Sequence, residues 1–161
     1  MFRLALLAIP LALFATSGYG ADEAKGEKVE YTTYPDYFEK NNSGLKGDQS
    51  FLVLADKDAF AKVFALRPPL MGGKKAVPVP NEAFEKKLVL GIITRSNAIT
   101  TYTVEKVTAD GETLYVQYKT DAGKPGTATF ASPLVLSAEK GKAKKVVFIE
   151  NGKTVGNAEV K

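Results

Sequence analysis

The chain has 161 residues, 22 Lys and Arg against 18 Asp and Glu, a formal net charge of +4, and no Cys, His or Trp. The lack of Cys excludes disulfides, thiolate nucleophiles and a lipidated cysteine; the lack of His removes the commonest metal ligand and the usual general base. Past Arg3 the only arginines are Arg67 and Arg95, so the mild positive charge is lysine charge, which argues against nucleic acid as a partner.

The first twenty residues carry one cation, Arg3, an apolar run from Leu4 to Ala15, and the small or polar Thr16, Ser17 and Gly18. That is the pattern of a secretory signal peptide, and the run, broken by Pro10, is short of the ~20 residues a bilayer span needs. Residues 1–20 are expected to be removed after Gly20, which leaves no integral membrane segment and an exported protein, periplasmic or extracellular. A cysteine-free exported chain suits a bacterial envelope better than a eukaryotic secretory route. The remainder is long enough for one domain with one core.

Residues 21–49 read as a leader and arm. Ala21–Lys28 is polar; Val29–Phe38 is aromatic-rich and predicts a first strand before Pro35; Glu39–Gln49 is loop. Tyr31, Tyr34 and Tyr37 lie in the only aromatic cluster. They are candidates to face a sugar or peptide ligand, or else to pin the arm over a sheet edge.

From residue 50 the pattern becomes regular. Ser50–Leu66 predicts a short buried strand and then a helix with Asp56 as N-cap, Asp58 in its first turn, and Phe60, Val63 and Phe64 as one apolar stripe. Arg67-Pro68-Pro69 is expected to stop that helix. Arg67–Pro80 has no periodicity, and long loops of that kind are often functional. Arg67, Leu70, Met71, Lys74 and Lys75 are therefore the candidate partner-binding residues, with Leu70 and Met71 as apolar anchors. Asn81 is expected to cap a helical turn through Phe84. The unbroken apolar run in Lys86–Arg95 predicts a strand buried on both faces.

In Thr100–Thr120, Leu114, Val116 and Tyr118 alternate with Tyr115, Gln117 and Lys119, the pattern of a half-buried hairpin strand. Asp110-Gly111 predicts a type I′ turn with Ala109 opposite Glu112. Val107 is out of phase with Tyr102 and Val104, so a one-residue bulge is expected near Glu105-Lys106. Thr127–Lys140 predicts a strand in which Pro133 marks a bulge or an edge. A closing strand, an Asn151-Gly152 turn and a short last strand end the chain. Residues 50–161 thus read as one β-rich α+β domain, mainly antiparallel sheet or sandwich, with about seven strands and one short helix.

The segments "FLVLADKDAFAKVFA", "FEKKLVLGIIT", "YTVEKVTADGETLYVQY", "SPLVLS" and "VVFIENGKTV" resemble the C-terminal domain of the PrcB family over roughly residues 51–155. The family's Gly-Gly-Tyr before the hairpin strand is replaced by Ile99-Thr100-Thr101-Tyr102, in which only the tyrosine remains. The resemblance implies an extracytoplasmic β-rich module associated with an exported protease complex.

No catalytic residue is selected by spacing. Ser43-x-x-Lys46 and Ser137-x-x-Lys140 match a Ser-Lys dyad but fall in a loop and at a strand end, not at a helix opening. Asp56 and Asp58 are explained by helix capping rather than by a metal, and no cofactor is implied. The functional expectation is a non-enzymatic binding domain that recognises another exported or envelope protein. A small-ligand binder with a pocket between sheet and helix is second, and a Ser-Lys hydrolase third. Export has a direct test: protein from the envelope fraction should begin near Ala21, and N-terminal sequencing that finds Met1 on cytoplasmic material would overturn it.

Overall fold

The computed structural model describes residues 24–68 and 76–160. In chain order the arm gives β1 (Glu27–Lys28), β2 (Tyr31–Thr33) and β3 (Tyr37–Glu39). The middle of the chain gives β4 (Gln49–Leu54), α1 (Lys57–Val63), β5 (Phe64–Leu66), α2 (Asn81–Lys86) and β6 (Lys87–Ser96). Then follow β7 (Thr100–Asp110), β8 (Thr113–Ala122), β9 (Phe130–Glu139), β10 (Lys145–Glu150) and β11 (Lys153–Glu159). One sheet runs β1-β7-β8-β10-β11, a second β2-β9-β6-β4, and a two-stranded ribbon β3-β5 lies beside them. All the ladders are antiparallel except β8 with β10. This is the β-rich α+β sandwich expected from the pattern. The strands beyond the expected seven or so are short arm and ribbon pieces, too brief to show a period.

β6 is the common wall of two cores. Leu88, Leu90 and Ile92 enter the space between the sheets with Val107, Leu114, Val116, Tyr118, Leu136, Val146 and Phe148. Val89 and Ile93 point the other way, against Phe60, Val63, Phe64 and Val135. Between them Gly91 has no side chain because the Phe64 ring takes its place: a Cβ there would come within 2.8 Å of it. Burial of each of these large apolar side chains stabilises the fold by roughly 1.5–3 kcal/mol, so the run from Leu88 to Ile93 carries much of both cores.

Asp56 caps α1 as its position predicts, accepting from Ala59 N–H at 2.7 Å, and the apolar stripe of Phe60, Val63 and Phe64 is buried. The helix nevertheless ends at Val63, four residues before Arg67. Phe64–Leu66 is instead drawn into strand by pairing with Tyr37–Glu39 of the arm, a distant partner that no local pattern announces. Asn81 does not cap α2. Pro80 holds the cap position with no side-chain bond, and the helix runs to Lys86.

The β7–β8 hairpin has the predicted bulge, with Val104 opposite Tyr118 and Lys106 opposite Gln117. Its turn is shifted by one residue: Asp110 pairs with Thr113, and Gly111-Glu112 form the loop. Gly111 has φ +58 and Glu112 is not in the positive region. Positive φ at the first central residue alone is the type II′ arrangement, not type I′. At Asn151-Gly152 both residues have positive φ, 49 and 77, as a type I′ turn requires. Pro133 sits in β9 without a register shift against β6, so it marks an edge, not a bulge.

The sheets meet along two seams. At one, Phe51 of β4 stacks on Phe148 at 5.0 Å, and Gly156 of β11 lets the Phe51 ring approach where a Cβ would collide. At the other, hydroxyls join the layers. Tyr102 O–H donates to Ser132 O at 2.7 Å and accepts from Thr94 N–H at 3.1 Å. Thr100 N–H donates to Ser132 Oγ at 2.9 Å.

The arm is held by a partly buried ion pair. Arg95 Nε and Nη2 grip Glu39 at 2.8 and 2.6 Å, Arg95 Nη1 donates to Gly47 O and Ser50 Oγ, and Ser43 Oγ donates to Glu39 at 2.6 Å. Burial alone would raise the Glu39 pKa; hydrogen bonds from Arg95 and Ser43, with the Arg95 charge, outweigh it and hold the carboxyl below its ordinary value. A depressed folded-state pKa contributes stability above the unfolded value and loses it as pH falls through the folded one. Arg95→Ala should cost roughly 3–5 kcal/mol by stranding Glu39. Glu39→Gln should flatten the loss of stability below about pH 4.5, the ordinary carboxyl range. Chemical denaturation of both variants across pH checks the pair.

Candidate functional site

Arg67 directly follows β5, where its N–H donates to Asp36 O at 2.7 Å, and its side chain is exposed. Leu70, Met71, Lys74 and Lys75 lie outside the described residues. Around Arg67 three distant stretches converge on one groove of about 550 Å³: Pro35 and Tyr37 of the arm, Ile99–Tyr102 at the start of β7, and Phe130–Pro133 at the start of β9. Ile99 is 58% exposed and Phe130 37%, both large apolar side chains in a place where burial would be expected. The groove walls hold no acidic residue, and Arg67 makes no ion pair among the described residues.

Ser132 and Thr100 are buried, and their side chains or backbone serve the seam. Burial pushes the Tyr102 hydroxyl above its ordinary pKa. It pushes Tyr118 up as well, with the Glu150 carboxylate adding to the effect. Both phenols are therefore neutral donors at physiological pH. Among the described residues no group of three or more acidic side chains is placed to hold a metal ion.

The three candidate tyrosines do not form one ligand-facing surface. Tyr31 packs on the inter-sheet core, and its hydroxyl donates to Val104 O at 3.2 Å. Tyr34 and Tyr37 are buried in the other core. The Tyr34 hydroxyl bonds Ser137 Oγ at 3.1 Å, and the Tyr37 hydroxyl accepts from Val79 N–H at 2.9 Å. All three pin the arm across the sheets, and Tyr37 in addition lines the groove. Ser137 is fully buried in β9, and Ser43 is spent on Glu39. A second, largely apolar cleft of about 440 Å³ lies between β2 and α2, lined by Thr32, Tyr34, Val77, Pro78, Ala83 and Lys86.

Ile99, Phe130 and Ala131 were not singled out by sequence, because their grouping depends on the sandwich. The one local signal was Pro133, whose edge position marks the floor of the groove. Tyr37→Phe leaves the buried Val79 N–H without its acceptor and should cost roughly 1–3 kcal/mol. Tyr31→Phe removes a half-buried donor and should cost about 1 kcal/mol or less. Equilibrium urea unfolding of the two variants tests whether these tyrosines hold the arm.

Comparison of the chain with family models, with curated proteins and with solved structures gives no match in any of the three.

Proposed function

We propose that the protein is an exported, non-enzymatic binding module that recognises another envelope protein, and that the groove beside Arg67 is part of the recognition surface. The observation that carries the reading is the pairing of two exposed apolar side chains, Ile99 and Phe130, with the exposed Arg67, which makes no ion pair among the described residues. Apolar anchors beside an Arg are what interfaces concentrate. Arg67 lines this groove; Leu70, Met71, Lys74 and Lys75, which lie outside the described residues, are retained as candidates for the proposed surface. The resemblance to the PrcB C-terminal domain supports an exported protease complex as the setting. Export itself rests on the leader.

A second reading, a small-ligand binder, is favoured by the apolar cleft between β2 and α2. The two readings place the ligand on different elements. Used as bait in an envelope extract, the protein should capture a protein partner. Arg67→Glu combined with Ile99→Ser should abolish that capture while shifting stability by no more than about 0.5 kcal/mol, as for exposed positions. Undiminished capture by the folded double variant would remove the groove from the surface.

A further inference from the structure

The turn between β10 and β11 is the only place in the chain where Asn is followed by Gly. Asn151 is exposed and is, among the described residues, the one non-glycine with positive φ, a conformation that Asn tolerates better than most side chains. Three of its polar groups are tied to β8. The Asn151 N–H donates to Tyr118 O at 2.9 Å. The side-chain Oδ1 accepts from Thr120 N–H at 3.2 Å, and Nδ2 donates to Thr120 Oγ1 at 2.9 Å. The Thr120 hydroxyl donates in turn to Glu150 Oε1 at 2.7 Å, and Glu150 Oε2 accepts from Gln49 Nε2 of β4 at 3.0 Å. A relay of hydrogen bonds thus runs from the turn, through β8 and the end of β10, to the other sheet.

Asn before Gly has a chemistry of its own. The glycine N can attack the asparagine Cγ because glycine has no side chain to stand in the way. The bond from Gly152 N to Cγ forms, the bond from Cγ to the side-chain nitrogen breaks, and ammonia leaves with the proton lost by Gly152 N. Water then opens the five-membered imide at either carbonyl and leaves aspartate or isoaspartate. The reaction consumes only water, with no oxidant, reductant or cofactor. It does require the side-chain amide to swing over Gly152 N, and the two bonds to Thr120 hold it on β8 instead.

We propose that Asn151 is a covalent self-modification site, a deamidation site that the folded chain guards through Thr120. Local opening at the end of β8 removes the guard, and the turn converts irreversibly. After conversion the side chain is a carboxylate. Thr120 Oγ1 then loses its donor, and its one proton lies between two like charges, which repel. Isoaspartate adds a main-chain carbon to a two-residue turn and disturbs the Glu150–Lys153 pair that the turn closes. Among the described residues β11 pairs only with β10. The change therefore falls on β11, and with it on Gly156, where the Phe51 ring sits.

The test incubates the purified full chain in mildly alkaline buffer, with and without urea, and maps it by mass spectrometry at intervals. Exchange of the amide for a hydroxyl adds one mass unit at Asn151. That separates it from isomerisation at Asp110-Gly111, which leaves the mass unchanged. Conversion should be fast in urea and slow in the folded chain. Thr120→Val removes the hydroxyl but keeps the branched shape, and should raise the folded-state rate about fivefold, the factor for one hydrogen bond. Thr120→Ser should keep it near the wild-type rate. Melting curves establish that both variants are folded. In the wild type, the side-chain amide protons of Asn151 should exchange with solvent more slowly than those of the exposed Asn42. In the converted chain, main-chain hydrogen exchange should quicken in β11 and stay unaltered in β6.

An Asn151 that survives urea, or that converts as fast folded as unfolded, overturns the proposal. So does a folded Thr120→Val chain that converts no faster than the wild type. If Thr120→Val does not fold, the amide-proton comparison decides the part played by Thr120: exchange at Asn151 as free as at Asn42 removes the guard. Unchanged protection of β11 after conversion overturns the structural consequence.

Discussion

The structure depends on β6 being apolar on both faces. A strand that closes only one core alternates, and its polar face meets water. β6 has no such face, because the second sheet lies on one side and the α1–β5–α2 layer on the other. The two layers are therefore coupled through one strand. A change at Leu90 is felt between the sheets and a change at Val89 beneath the helices, while Gly91 fixes how closely Phe64 can approach. Of the elements that shape the groove, the start of β9 is registered against this strand, and β5 packs on it through Phe64.

That constraint is also why β6 was legible in the sequence. An uninterrupted apolar run is a strong local signal. So was the alternation of Leu114, Val116 and Tyr118, and so was the phase break that betrayed the bulge at Glu105. The failures have a common physical cause. β5 is strand only because β3 comes to pair with it, and a three-residue segment has no period to read. Asp-Gly suited one turn type by local preference, but the closing pair Asp110–Thr113 moved the loop to Gly111-Glu112. In each case tertiary pairing overrode a weak local preference.

The groove was less legible than the fold. Arg67 was singled out because it opens a loop without pattern, yet its significance comes from Ile99 and Phe130, which lie more than thirty residues away from it in the chain. The aromatic cluster, which allowed either a ligand surface or a set of pins, is anchored across the sheets. The reason is visible in the hydroxyls, each of which meets a partner that the arm alone does not contain: Val104 O, Ser137 Oγ and Val79 N–H.

The arm has a bearing on the order of events in folding. β1 pairs with β7, β2 with β9 and β3 with β5, so the earliest-made described strands take partners made later. Loop closure over such separations is slow relative to local structure. A ribosome delivers residues 24–39 long before the residues through 139 that complete their ladders. β3 meets its partner β5 early, but β2 has no native edge to occupy until β9 is made. The same topology that makes the finished sandwich hold its arm so firmly makes the unfinished one a late and cooperative folder.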